Sequence, residues 1–385
     1  MVKLGDICKF QSGGTPTKGE PSYFNGNIPW ITTVALNGKC IDEKSAVDWI
    51  TEKAIEKSAA KIVPPNSIMV GTRVGVGKVA INKVAMSTSQ DIISLLEIDE
   101  SRWSKSFICK FIQGKGSYLN SQARGATIKG IKIDTLAGLQ LPNVTLDAQY
   151  KIAAILDKID QLISLRKEQL AKLDQLVKSR FVDLFGDEQR FLAKACNQVS
   201  DVCESKVGIV IQPTQYYTED TNNSVKAFRS LNVKPFRVND ADWVHFTVES
   251  NNLMQRTQVH TNDVAVVRSG VNLGDSCVVP AEFDGCNAID ILILTPKSCI
   301  LPVYLSAFIN YPCGKNQIIN AQRGGALKHL NNKQLQDAQI YLPPIKLQKQ
   351  FADFVEQTEK TKLTIQSSLD KLEVLKKSLM QEYFG

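Results

Sequence analysis

The stretch from Gln122 to Gly186 is nearly written a second time from Ala321 to Gly385, and no other feature constrains the fold as strongly. Arg124-Gly125-Ala126-Thr127-Ile128-Lys129 answers to Arg323-Gly324-Gly325-Ala326-Leu327-Lys328, and Gln149-Tyr150-Lys151-Ile152-Ala153 answers to Gln348-Lys349-Gln350-Phe351-Ala352. The closing segments, Glu168 to Gly186 and Ser367 to Gly385, superpose at an offset of 199 residues. Leu141-Pro142 and Leu342-Pro343 lie 201 apart, so a two-residue shift opens and closes inside the repeat. A segment repeated at this spacing marks two copies of one structural plan, and the chain reads as two halves.

Each half divides at its Leu-Pro, because proline cannot donate to a strand ladder and pushes its predecessor out of the helical region. The expected class is α+β. Two mixed α/β domains, residues 1–144 and 187–344, are each followed by a long helix, at 145–186 and 345–385. The first helix carries a seven-residue stripe, Leu156, Ile163, Leu170, Val177 and Leu184; the second carries Phe351, Thr358, Ile365, Leu372 and Leu379. A repeat of seven is the coiled-coil period. Neither stripe is clean, with Arg166 and Thr358 interrupting, and both helices belong to one chain. They are therefore expected to pair with each other, antiparallel and with internal pseudo-twofold symmetry, leaving apolar surface for partners. Gly186 and Gly385 suit left-handed C-caps.

Composition narrows the class. With 385 residues, 43% apolar and 22% charged, the chain is long enough for two or three domains with sizeable cores. It has no apolar run of membrane-spanning length and no signal-like N-terminus, which predicts a cytoplasmic protein with no membrane partner. Nine cysteines without a C-x-x-C pair read as reduced core thiols. The net charge of +7 falls entirely on residues 1–186, which permits a polyanion partner for the first half.

In the first half, Leu4 to Cys8 reads as a short strand or turn, Gln11 to Pro16 as a loop and Thr51 to Lys61 as a short amphipathic helix. The segment Tyr23 to Thr33 interleaves aromatics with Asn, Gly and Thr, either to reach bases or to anchor a long loop. Ile68-Met69-Val70 and Val79-Ala80-Ile81 flank a glycine-rich turn, Gly71 to Lys78. As a phosphate loop the turn fails, since its outer glycines are one residue too far apart and Val79 replaces the magnesium-binding hydroxyl. As a dinucleotide fingerprint it lacks the helix that would follow. Asn262 to Gly274 repeats its order of turn, strand, Arg and Gly with two more residues between Arg and Gly. Ser89 to Ile93 likewise parallels Ala288 to Leu292, a strand entered through an Asp.

A globular domain, a Leu-Pro and a long helix ending in Phe-Gly, written twice, resemble the specificity subunit of type I restriction-modification systems. Gly13-Gly14-Thr15-Pro16, Ile28-Pro29-Trp30-Ile31, the Arg73 to Gly77 turn, Arg124-Gly125-Ala126-Thr127 and Leu342-Pro343-Pro344 carry the resemblance. It implies that each domain is a target recognition domain for half of a split DNA sequence. It further implies that the helices set the spacing and dock two modification (methyltransferase) subunits, with restriction subunits outside them. S-adenosylmethionine, ATP and Mg would then sit in the partner subunits and none in this chain. The second half departs from the pattern, having Gln212 to Tyr217 and Phe228 to Asn232 where the first has Gly-Gly-Thr-Pro and Pro-Trp.

No Asn-Pro-Pro-Tyr-type tetrapeptide, G-x-S-x-G or H-E-x-x-H occurs, so the chain reads as non-enzymatic. Cations suit phosphates, and Arg, Asn, Gln, Ser and Thr suit base edges. Candidate DNA contacts in the first domain are Thr15, Lys18, Tyr23, Thr32, Thr33, Arg73, Lys78, Ser89, Gln90, Arg124 and Lys129. In the second they are Gln212, Tyr216, Arg229, Asn232, Arg268, Asn272, Arg323 and Lys328. Each is also open to being a solvated or fold-stabilising residue, the arginines less so than the rest. A coiled-coil scaffold without a DNA role is the alternative.

Overall fold

The computed structural model describes residues 1–125, 129–211, 213–320 and 329–385. They form two compact units, Met1–Lys167 with Ser367–Gly385, and Glu168–Gln366. Two 40-residue helices, the central Leu146–Phe185 and the C-terminal Ile345–Phe384, each contribute one half to either unit.

Unit 1 begins with a two-stranded clasp in which Val2–Lys3 pairs antiparallel with Gln140–Leu141, just before Pro142. Leu4–Asp6 then turns as a 3₁₀ segment. The main sheet has five strands in the order Lys9–Ser12, Ile92–Leu96, Ile68–Gly71, Val79–Asn82 and Cys40–Ile41. The first four are mutually antiparallel and the last pairs parallel. A second sheet runs Asp48–Ile50, Phe24–Ile31, Met86–Thr88 and Ile62–Val63, so most of the aromatic segment 23–33 is a strand and not a long loop. The helix expected over 51–61 covers only Glu52–Lys57, capped by the Thr51 side chain. Its shortness leaves the Ala59 backbone free to receive Gly14, where any Cβ would lie 2.0 Å from the Ala59 carbonyl oxygen.

Unit 2 repeats this plan where its sequence has diverged. Asn197–Gln198 clasps Gln339–Ile340. The main sheet runs Cys203–Val207, Ile291–Pro296, Val264–Val267 and Ser276–Val278, and the second runs Tyr217–Thr218, Val244–Thr247, Ser224–Phe228 and Asn287–Ala288. In both units one strand pair of the second sheet is parallel, Trp30 facing Ser87 in one and Ala227 facing Asn287 in the other. Backbone equivalence extends to the domain entries. The thiols of Cys8 and Cys203 donate to the carbonyls of Leu4 and Val199, so Leu4-Gly5-Asp6-Ile7-Cys8 and Val199-Ser200-Asp201-Val202-Cys203 are one element in two copies.

The missing Gly-Gly-Thr-Pro and Pro-Trp of the second half have a packing explanation. The buried Trp30 donates its indole N–H to the Gly14 carbonyl at 3.1 Å. Gly14 N bonds Thr88 O, as Ile209 N bonds Ala288 O, so Ile209 stands where Gly14 does and Ala227 where Trp30 does. A large side chain beside glycine in one domain becomes a small one beside isoleucine in the other, a swap that conserves core volume.

Within each unit the two helix halves lie antiparallel. In unit 1, Asp160 pairs with Lys376 at 2.6 Å and Lys167 with Glu373 at 2.9 Å; in unit 2, Asp174 pairs with Lys362 at 2.7 Å. Of the expected stripe, Leu156, Val177 and Phe351 are buried, while Ile163, Leu170, Leu184, Ile365, Leu372 and Leu379 are half-buried, as a seam of only two helices leaves them. Thr358 is tolerated in the seam because its hydroxyl donates to the Phe354 carbonyl at 2.8 Å. Gly186 takes the left-handed cap at φ +104°, whereas Gly385 is not left-handed. No helix among the described residues is long and apolar enough to cross a membrane. All nine cysteines are free thiols, but Cys40, Cys196 and Cys299 are exposed, so the core-thiol expectation fails for three.

Each domain grips the start of one long helix and the end of the other. In unit 1 the buried Gln149 accepts from Ser104 N and donates to the carbonyls of Arg102 and Val144. In unit 2 the buried Gln348 accepts from Leu301 N and donates to those of Cys299 and Pro343. Ser104 and Leu301 are the N-cap residues of the domain helices Lys105–Gly114 and Pro302–Asn310. At the other grip Phe384 sits edge-on to Phe107 and Phe111, as Phe185 does to Tyr304 and Phe351.

Unit 1 adds a buried charge cluster. Lys110, with 5% of its side chain exposed, pairs with Asp157 at 2.6 Å and Asp160 at 2.8 Å. Burial works against the charged forms, but the carboxylates raise the Lys110 pKa, and Lys110 with Lys376 holds Asp160 below the usual carboxylate range. A depressed carboxylate stabilises above its unfolded value and loses that contribution as pH falls through its folded one; a raised ammonium does so in reverse at alkaline pH. We therefore expect the stability gap between wild type and Asp160→Asn to hold from pH 7 to about 4 and to shrink below the ordinary Asp value of about 3.9. Urea unfolding across that range checks this, and a gap constant down to pH 2.5 would contradict it.

Candidate nucleic-acid interface

The loops bearing most of the candidate residues are gathered at one edge of each domain by backbone hydrogen bonds. In unit 1, Gly13 N bonds Ile92 O, Gly14 N bonds Thr88 O, Ser89 N bonds Ile31 O, Thr72 N bonds Asp91 O and Ile131 N bonds Thr72 O. These five backbone bonds tie together the loops following Ser12, Ile31, Gly71, Thr88 and Arg124. Unit 2 repeats the lacing. Gly208 N bonds Ile291 O, Ile289 N bonds Phe228 O, Asp290 N bonds Ile209 O and Leu330 N bonds Arg268 O. A rigid sheet that gathers several loops on one edge can present their side chains together to a ligand.

On the unit 1 edge, Thr15, Arg73, Lys78, Gln90, Arg124 and Lys129 are exposed, with Lys18 exposed further along the Thr15 loop and Thr32 half-buried. The Arg73 guanidinium is half exposed and only 3.7 Å from Asp91, a loose pair that leaves donors for a phosphate or base. Thr33 and Ser89 are buried and so do not face the edge. Tyr23 packs with Trp30 and Ile50, its hydroxyl donating to the Lys57 carbonyl, which makes it a fold residue.

In unit 2 the described candidates are bonded more closely to the fold. Arg268 keeps only 12% of its side chain exposed and lies 3.3 Å from Asp290. Asn232 is fully buried, accepting from Arg229 N and donating to the carbonyls of Asn239 and Ala241, so it braces a turn. Arg229 is half-buried and its guanidinium donates to the Asp242 carbonyl. Tyr216 packs toward Phe246 at 5.8 Å. Asn272 is half-buried, its carbonyl accepting from Asp275 N. Gln212, Arg323 and Lys328 lie outside the described residues.

The two hairpins show what sequence alignment missed. Gly77 N bonds Gly71 O and Gly274 N bonds Val267 O, which equates Gly77 with Gly274 and Thr72, not Arg73, with Arg268. The arginines therefore sit one register apart, yet both reach the equivalent strand-entry aspartate, Asp91 or Asp290. The same equivalence places Val74 over Val271 at the hairpin apex, 56% and 104% exposed. A search for charged and polar readers passes over these valines. The helices also carry exposed aliphatics: Ile155, Leu165, Val374 and Leu375 in unit 1, and Leu176, Val182 and Leu363 in unit 2.

Comparison with known proteins finds type I restriction specificity subunits among the relatives and among the solved structures. The family model of the type I restriction modification DNA specificity domain matches residues 1–175 and 273–374. The type I restriction enzyme MjaIX specificity subunit of Methanocaldococcus jannaschii is 24% identical over 378 residues, covering 92% of this chain and 85% of its own. The EcoR124I/EcoR124II specificity subunit of Escherichia coli is 31% identical over 185 residues, 46% of this chain and 45% of its own. Among solved structures, the S subunit from M. genitalium aligns over 100% of this chain and 95% of that one, with a TM-score of 0.58 at 15% identity. A chain from a structure of type I restriction-modification complex assembly and conformational transition aligns over 100% and 96%, with a TM-score of 0.62 at 15% identity. These likenesses extend the shared fold across both units. A duplicated α+β domain with its antiparallel helices, and a family model matching most of the chain, place this protein among the type I restriction-modification DNA specificity subunits.

Proposed function

We propose that each domain reads one half of a bipartite DNA target through its laced loop edge, and that the paired helices set the spacing of the half-sites and dock methyltransferase subunits. As a specificity subunit the chain is non-catalytic, and its contribution to the complex is recognition. The observation that carries the reading is the convergence of Arg73, Lys78, Gln90, Arg124 and Lys129 on a single edge. Cations there neutralise phosphates, while Arg and Gln can also bond base edges in the major groove.

The divergence of the second domain's loops supports two different half-sites. Residues 1–144 and 187–344 would be the recognition domains, and residues 145–186 and 345–385 the spacers. The exposed aliphatics on both helices suit subunit docking, with restriction subunits joining the assembly. S-adenosylmethionine, ATP and Mg would reside in those partners.

Sequencing the methylated genome of a host expressing the chain with its modification subunits tests the reading. The expected result is one bipartite motif, with two dissimilar half-sites and a fixed gap. A continuous motif, or an active complex without sequence preference, would falsify it.

A further inference from the structure

At the apex of the main-sheet hairpin both domains expose the same side chain. Val74 and Val271 each stand three residues before a left-handed glycine, Gly77 at φ +81° and Gly274 at φ +75°. Two residues beyond each valine an apolar anchor turns inward, Val76 packing against the unit 1 core and Leu273 lying buried in that of unit 2. The loops differ otherwise. Unit 1 has Arg73 before the valine, whereas unit 2 inserts a residue and has Gly270 there, itself left-handed at φ +88°.

An aliphatic apex kept through a change of loop length, exposed in both domains and next to the half-exposed Arg73 in the first, is not explained by folding. Val271 is 104% exposed and gains nothing from packing within the chain. A branched aliphatic group cannot serve a phosphate. In the major groove it has one chemical match, the 5-methyl group of thymine, against which apolar side chains discriminate bases.

We propose that Val74 and Val271 are specificity-determining contacts, each packing on a thymine 5-methyl group in the half-site of its own domain. The inference rests on the bipartite reading above. Within that reading it assigns an apolar contact to each domain, beside the polar ones of Arg73 and Gln90 in the first.

The test uses the full chain assembled with its modification subunits, and duplexes carrying the methylated motif. Each thymine of the half-sites is replaced in turn by deoxyuridine, which removes only the 5-methyl group. One replacement in each half-site is expected to weaken binding about fourfold, the equivalent of one buried methyl group at ~0.8 kcal/mol. Val74→Ser should abolish that sensitivity in one half-site and Val271→Ser in the other.

The proposal is overturned if no replacement changes affinity, if a half-site contains no thymine, or if the serine variants bind thymine and uracil duplexes with the original ratio. Indifference to uracil together with loss of affinity in the variants would instead mark a minor-groove wedge, and would also overturn it. Because the replacements are made in DNA, a variant that fails to fold leaves the first arm intact. Absence of a bipartite motif would sink the parent reading, whereas a bipartite motif indifferent to uracil sinks this inference alone.

Discussion

Gln348→Ala is expected to lower the stability of unit 2 by about 3 kcal/mol, and Gln149→Ala to do the same in unit 1. Each glutamine is buried and serves three backbone groups, an N-cap N–H and two carbonyls, none of which has a described alternative partner. A buried polar group left unpaired costs about 1–3 kcal/mol, and water entering the vacated space recovers part of the total. Gln348→Met separates bonding from packing, since it keeps most of the volume and removes every hydrogen bond. Hydrogen exchange should accelerate in Pro302–Asn310 for the Gln348 variants and in Lys105–Gly114 for Gln149→Ala. If the methionine variant melts with the wild type, the glutamines are fillers and the bonding account is wrong.

Phe384→Ala should be comparably severe, at about 3–5 kcal/mol for an aromatic ring removed from a closed core. The ring centroid lies 5.3 Å from that of Phe107 and 5.7 Å from that of Phe111, and its Cδ2 approaches within 3.3 Å of a Cβ placed at Gly114. The Lys115 ammonium also donates to the Phe384 carbonyl, fixing the last helical turn against the domain. The loss is expected to appear as faster exchange in Lys105–Gly114 and Gly116–Gln122, with Pro302–Asn310 unchanged. Unaltered protection of Lys105–Gly114 would show that the ring is dispensable to unit 1.

Much of the architecture was legible because it was written twice. The long helices begin within two residues of their expected starts and end at the phenylalanines read from sequence, since glycine follows each and Leu-Pro precedes each. What stayed hidden was equivalence maintained by backbone bonding after side chains had changed. Leu4 to Cys8 and Val199 to Cys203 share only Asp and Cys in sequence, and no periodicity flags so short an element. The exchange of Trp30 with Gly14 for Ala227 with Ile209 looks like a lost motif until the two positions are seen to touch.

The candidate site was legible only in part, for a similar reason. Sequence separates the loops near Thr15, Arg73, Gln90 and Arg124, and the lacing that gathers them joins backbone atoms, which residue types do not advertise. Residue type alone also overstated Arg268, Asn232, Thr33 and Ser89, whose polar groups face the fold. The family model leaves out residues 176–272, the stretch containing the loops of the second domain up to its hairpin. Between the two units side chains there diverge while the central strand pairings of the main sheet are kept.

The seating of Phe384 also sets an order of events during synthesis. Unit 1 draws on residues at both ends of the chain, whereas unit 2 is contiguous, Glu168–Gln366. A chain emerging from the ribosome therefore makes the first domain early but leaves its aromatic socket, lined by Phe107 and Phe111, exposed until the last helical turn is made. Closing it joins Lys115 to a residue 269 positions away, a long-range contact of the kind that slows folding and exposes apolar surface meanwhile. The domain translated first is thus the one completed last.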